Sequence, residues 1–215
     1  VTLPGAFARF VWLCMSKSLP LWVCAIALSY ASFAHYTLVH EAVHRNVIAQ
    51  PKSLDWVNTI VGWIGACGLG IGWPLLQRTH VLHHSFVNTN KDPDISVKGT
   101  FVELVTKWIK GTPTSLVPPI AAKYISREGY ESLEGVFSKR DIQQSSVISV
   151  FTLILLALSL ATAHVTDWLF LLFIPQRVAV LILMIFFQWL PHHPFDRTDR
   201  YGATRISLWL GGDTL

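Results

Sequence analysis

Long uncharged apolar runs constrain this chain before any motif does. Leu19 to Val39 and Trp56 to Gln77 contain no Asp, Glu, Lys or Arg. Val147 to Val165 is strongly apolar, and Trp168 to Leu190 is interrupted only by Pro175-Gln176-Arg177. A helix that crosses a bilayer needs about 20 such residues. In hydrocarbon, only helices and closed barrels satisfy every backbone group. Of the 215 residues, 52% are hydrophobic and only 14% charged, where soluble domains carry about 25%. The expected fold is therefore all-α, an integral membrane helical bundle, with residues 1–215 forming a single domain.

The boundaries follow from local chemistry. Pro suits the first turn of a helix, so the last helix is expected from about Pro175 to Leu190. Trp168 to Ile174 would then be a short apolar turn at the far interface. Residues 1–18, with Arg9 and Lys17, read as the remainder of an earlier helix. Trp63, Trp73, Trp108, Trp168 and Trp189 suit aromatic belts, with Trp73 and Trp189 as alternatives for a substrate channel. Cys14, Cys24 and Cys67 lie in apolar stretches without metal-binding spacing, and are expected to be packing residues with no disulfide framework. No signal peptide is visible. The net charge of +4 is assigned to Lys and Arg facing anionic lipid, and no nucleic-acid partner is expected.

Histidines mark the chemistry. His40-Glu-Ala-Val-His44 and His80-Val-Leu-His83-His84 place imidazoles at i, i+3 and i+4, on one face of a helix. His192-His193 follows the last apolar run. If the first two clusters serve one site, they must share a side of the membrane. A single crossing at Trp56 to Gln77 would separate them. That stretch carries Gly62, Gly65, Gly68, Gly70 and Gly72, then Trp73-Pro74, and Gly and Pro break or bend helices. A re-entrant segment that returns to its own side is expected. All 17 lysines and arginines except Arg9, Lys17 and Arg177 then lie on the histidine side, which the positive-inside rule names cytoplasmic. Thr100 to Ser145, the longest polar stretch, should form helices or loops over the site.

Imidazole suits iron, zinc, copper and nickel, and three readings compete. One is satisfied polar residues near an interface. Another is a zinc peptidase, since His40-Glu41-Ala42-Val43-His44 fits H-E-x-x-H; zinc, however, takes three protein ligands and a water, fewer than this chain offers. The third is a two-metal, oxygen-activating site. A metal-binding membrane scaffold without enzymatic activity is a further alternative, separable by O2 consumption. Glu41 and the turn Asp92-Pro93-Asp94 offer carboxylates that can orient ligand imidazoles from outside, with Asp94 taken as the candidate. His35 lies off the face of His40 and reads as structural, and His164 falls at the opposite membrane face.

The spacing H-x-x-x-H followed by H-x-x-H-H, each beside an apolar segment, resembles the membrane fatty-acid desaturase and hydroxylase superfamily. His40 to Asn46, Arg78 to His84 with Asn88 to Asp94, and Leu190 to Phe195 look most like desaturase-type β-carotene hydroxylases and related bacterial desaturases. The resemblance implies two non-haem irons, O2 as co-substrate and two electrons from a ferredoxin- or cytochrome-type donor. It implies iron ligands at His40, His44, His80, His83, His84 and His192, with His193 ranked below them. It also implies a further H-x-x-H-H box beyond Leu215, so the 215 residues are expected to be a piece that holds iron weakly. The expected activity is desaturation or hydroxylation of a fatty acyl lipid entering from the bilayer. A carotenoid ring hydroxylase is the alternative favoured by Leu190 to Phe195. Lys107, Lys110, Lys123, Arg127, Lys139 and Arg140 offer a docking face for an acidic donor, or equally for lipid headgroups.

Overall fold

The computed structural model describes residues 3–89, 91–92, 99–121, 135–195, 197–199 and 203–204, and all regular structure among them is helical. α1 spans Leu3–Met15 and α2 Leu21–Val43. α3 spans Asp55–Leu69, α4 Trp73–Phe86, α5 Phe101–Thr114 and α6 Lys139–Ala161. α7 is one rod, Val165–His192, with π-helical stretches at Leu169–Phe173 and Met184–Trp189. α2, α6 and α7 are each long and apolar enough to cross a membrane.

Two expectations are corrected at the far end. The turn from Ser16 to Pro20 joins α1 to α2 so that Cys14 and Cys24, ten residues apart, meet and form a disulfide; Cys67 is free. The last helix begins at Val165 rather than Pro175. Proline breaks an α-helix by removing an N–H and crowding the carbonyl four residues earlier. Here the wider π turn at Leu169–Phe173 ends two residues before Pro175, which sits in the first turn of the renewed α-helix, so the rod continues through it. Arg177 consequently lies buried within the span instead of at the far face. His164 and Lys17 do lie at that face, both within ion-pair distance of Asp167, at 2.9 and 3.5 Å.

α3 and α4 form a bent pair with 98° between them. α3 runs antiparallel to α2, Gly65 against Val39 and Gly68 against His35. A Cβ on Gly65 would fall 2.5 Å from Val39 Cγ2, so glycine sets how closely these helices approach. α3 stops at Leu69 because Gly70 takes the left-handed conformation, φ 68°. Its lower end reaches only the level of His35, eight residues before the end of α2. At 1.5 Å per residue that is about 12 Å, against a hydrocarbon thickness of about 30 Å. The pair dips in and turns back, as the parity of the two clusters requires.

Broken backbone at this depth must find partners inside the protein, and both spans supply them. From α7, Gln176 Nε2 donates to Cys67 O at 3.0 Å and Arg177 Nη2 to Leu69 O at 2.8 Å. From α6, Ser145 Oγ accepts from Leu75 N at 3.1 Å. The core sits at this elbow: Val39, Ala42, Val43, Ala66, Leu69, Trp73, Ala179 and Leu183 are all buried. Trp73, 3% exposed, belongs to that core rather than to an aromatic belt.

α5 begins with a Thr100–Glu103 capping box and α6 with a Ser138–Asp141 one. α5 runs beside α7, Phe101 packing on Trp189 and Trp108 Nε1 donating to Arg177 O at 2.9 Å. It flanks the last span rather than covering the histidines. Residues 122–134, with Lys123 and Arg127, lie outside the described residues.

Candidate metal centre

The histidine end of the bundle is assembled from the last turn of α2, the length of α4 and the end of α7. His40 and His44 are one turn apart on α2, and His80 and His84 one turn apart on α4, so each helix offers a pair. The elbow swings α4 until the pairs face each other. His44 Nε2 lies 3.1 Å from His80 Nε2, and His84 Nε2 lies 3.0 Å from the same atom. One ligand nitrogen from each of His40, His44, His80 and His84 falls within 4.8 Å of the others. A neutral imidazole has a single N–H, so three Nε2 atoms meeting at about 3 Å cannot all be satisfied by one another. A cation among them can accept every lone pair, and the donor set fits imidazole-binding metals.

Burial foremost, and then the neighbouring imidazoles of His84, His40, His44 and His83, hold His80 far below the ordinary histidine range, at about 3. Burial also lowers His44 and His84, with the charges of nearby histidines adding to it. His44, His80 and His84 are thus neutral at physiological pH, the form that ligates.

Three of the rings are oriented from behind. His40 Nδ1 donates to Glu41 Oε1 at 3.2 Å, His83 Nδ1 to Asp92 at 3.0 and 3.1 Å, and His192 Nδ1 to Ala203 O at 3.0 Å. Each bond fixes the tautomer and leaves Nε2 as the lone pair. His83 and His192 face each other edge to plane, ring centroids 4.8 Å apart, beside the four-histidine cluster. His193 does not join them: it stacks on Trp189 at 4.6 Å and meets Phe195 edge-on. His35 stays on its own helix, bonded to Ala31 O. Asp94 lies outside the described residues; its neighbour Asp92 makes the bond to His83.

Asn88 has no counterpart among the sequence candidates. It sits in the turn after α4 with φ 60°. Its backbone N–H donates to Asp92 Oδ2 at 2.9 Å, and its side-chain amide donates to Arg197 O and Ala203 O. One residue thereby places the acceptors of both His83 and His192. The local signal was slight, an Asn in a polar turn where asparagine tolerates positive φ, and its side-chain partners lie more than a hundred residues away.

A cavity of about 650 Å³ opens on the cluster, walled by Tyr36, His40, His80, His84, Phe187 and His192 among others. A second, apolar chamber of about 310 Å³ adjoins it, sharing Tyr36, His80, Phe187 and Gln188.

A membrane-embedded helical bundle that gathers histidines at one end is what fold and site define. The family profile described as fatty acid desaturase matches residues 16–212, and the chain belongs to that family. It is 25% identical over 218 residues to a protein named beta-carotene ketolase from Paracoccus sp. (strain PC1), covering 95% of this chain and 72% of the relative. A second beta-carotene ketolase, from Paracoccus sp. (strain N81106 / MBIC 01143), is 23% identical over 212 residues, covering 92% and 70%. No solved structure matches the chain. Family and relatives together make it a membrane oxidoreductase of the desaturase and hydroxylase type.

Proposed function

We propose that this protein is an O2-dependent, non-haem di-iron oxygenase that hydroxylates the ring of a carotenoid taken from the bilayer. The observation that carries the reading is four convergent imidazoles at the mouth of an apolar chamber. The relatives' names turn the preference from an acyl lipid to a carotenoid. His40, His44, His80 and His84 hold one iron, and His83 and His192 belong to the second. Glu41, Asp92 and Ala203 O fix ring orientation. Iron supplies the redox chemistry that activates O2. The overall step is R2CH2 + O2 + 2 e⁻ + 2 H⁺ → R2CHOH + H2O, with the electrons delivered by a ferredoxin- or cytochrome-type protein. The chain's own contribution is to bind the substrate, orient its C–H bond and exclude bulk water.

Glu41 argues against the peptidase alternative. Its carboxylate bonds the outer nitrogen of His40, behind the ligand, where it does not face the cluster as a general base would. The distribution of lysine and arginine along the sequence favours a site that faces the cytoplasm. Lys107, Lys110, Lys139 and Arg140, on α5 and the start of α6, suit an acidic donor.

The second reading is oxidation of a fatty acyl lipid, which the family's breadth favours. Chromatography and mass spectrometry of extracts from cells expressing the protein, with and without a carotene supply, separate the two. Oxygenated carotenoid at unchanged acyl composition is expected. New unsaturated or hydroxylated acyl chains at unchanged pigment would replace the carotenoid reading. Metal bound without O2 consumption or product would leave only a scaffold.

A further inference from the structure

The two cavities differ in character. The larger one holds the histidines. The smaller one meets them only at His80; Tyr36, Thr79 and Gln188 are its other polar lining, and the rest of its wall is apolar: Leu69 and Ile71 from the elbow, Leu75 and Leu76 from α4, and Val180, Leu183, Met184 and Phe187 from α7. A rigid apolar cavity of about 150 Å³ holds benzene. At about 310 Å³, the chamber has room for a six-membered ring carrying several methyl groups, placed with one edge toward His80.

A row of aromatic rings leads away from the shared mouth. Tyr36 packs on Phe187 at 5.3 Å, Phe187 on Phe33 at 6.1 Å, and Phe33 on Tyr30 at 6.4 Å. Tyr30, Phe33 and Tyr36 recur every three residues and so share one side of α2. Phe187 is 48% exposed and Tyr30 71% exposed, so the row runs from the site out to the lipid-facing surface. Flat conjugated systems gain from contact with aromatic faces beyond their area. A saturated acyl chain gains only the burial of its surface.

We infer that the apolar chamber is the seat of a carotenoid's cyclic end group, and that the Tyr36–Phe187–Phe33–Tyr30 row carries its conjugated chain out to the lipid. This rests on the carotenoid reading above. Chamber and row have separate tasks: the chamber sets which end group is accepted and which ring carbon faces His80, and the row sets affinity.

The test supplies expressing cells with β-carotene or with an acyclic carotene of the same length, and compares wild type with Met184→Trp, Met184→Ala and Phe33→Ala. Met184 is only partly buried, so its replacement spares the core. Wild type should oxidise β-carotene and leave the acyclic carotene untouched. Met184→Trp, which fills the chamber, should lower β-carotene turnover about tenfold or more at unchanged metal content. Met184→Ala should widen the range of ring substituents accepted, which keeps the inference testable if the tryptophan variant does not fold. Phe33→Ala should raise KM more than it lowers kcat. Equal turnover of cyclic and acyclic carotenes, or a Met184→Trp variant as active as wild type with neither Met184→Ala nor Phe33→Ala changing selectivity or KM, overturns the chamber assignment and leaves the carotenoid reading standing. Oxidised acyl lipid with no oxidised carotene overturns both.

Discussion

Asp92 is buried and holds His83 through both carboxylate oxygens while accepting the Asn88 N–H. Removing such an outer partner typically costs about 10–100-fold in metal affinity. Asp92→Asn should therefore lower occupancy at the His83–His192 pair and spare the four-histidine cluster, so that elemental analysis shows a partial rather than a complete loss of the metal that the unaltered protein holds. Equal loss at both would mean that the six rings form one undivided site. His80→Ala, which removes the nitrogen that His44 and His84 share, should abolish metal binding at the cluster outright. A pH effect follows from the same packing. His80 titrates at about 3 in the folded protein, against about 6.5 in an unfolded chain. Below about 6.5 the unfolded state takes up a proton that the folded cluster refuses, so stability falls with pH until about 3. Metal-stripped protein in detergent should melt at a lower temperature at pH about 5 than at pH about 7.5; an equal or higher melting temperature would contradict a buried, neutral His80. At this scale the ligand candidates were legible, because i, i+4 spacing is local. Asn88 and Ala203 were not, because their roles depend on contacts 115 residues apart.

The elbow between α3 and α4 decides whether those residues meet. Gly70→Ala should be costly: a left-handed L-residue costs about 1–2 kcal/mol, and its Cβ would lie 2.6 Å from Gln176 Oε1. Arg177→Leu should cost about 1–3 kcal/mol by leaving Leu69 O without its donor. Both variants should melt earlier and also carry less metal, because the elbow aims α4. Lys17→Ala, at the far end, should leave metal content unchanged. If the elbow variants lose stability yet keep full metal, α4 is aimed by something else. The return of this segment was legible from its glycines, since both clusters needed one side. The start of α7 was not. Pro175 and Arg177 looked like a boundary because the sequence does not display a π turn that accommodates the proline, nor a carbonyl on another helix that receives the guanidinium.

Across the whole molecule, charge and sulfur divide between two ends. Among the described residues, Arg45, Arg78, Lys91 and Arg197 lie toward the histidines, and the Cys14–Cys24 disulfide lies toward the opposite face with Lys17, His164 and Asp167. Disulfides persist in oxidising compartments, which agrees with the proposed orientation of the site toward the cytoplasm. In acid-quenched, denatured cells, a PEG-maleimide should add to one cysteine, Cys67, before reduction and to all three of the chain's cysteines after it. Addition to three without reduction would remove the disulfide from the account. In the proposed orientation, the electrons for the proposed O2 activation and the oxidant that closes the clasp between α1 and α2 would come from separate compartments. Detergent abolishes that separation. A thiol or dithionite added to feed the metal centre in solution would also open the far end, so activity measured that way belongs to a chain whose first helix has been untied.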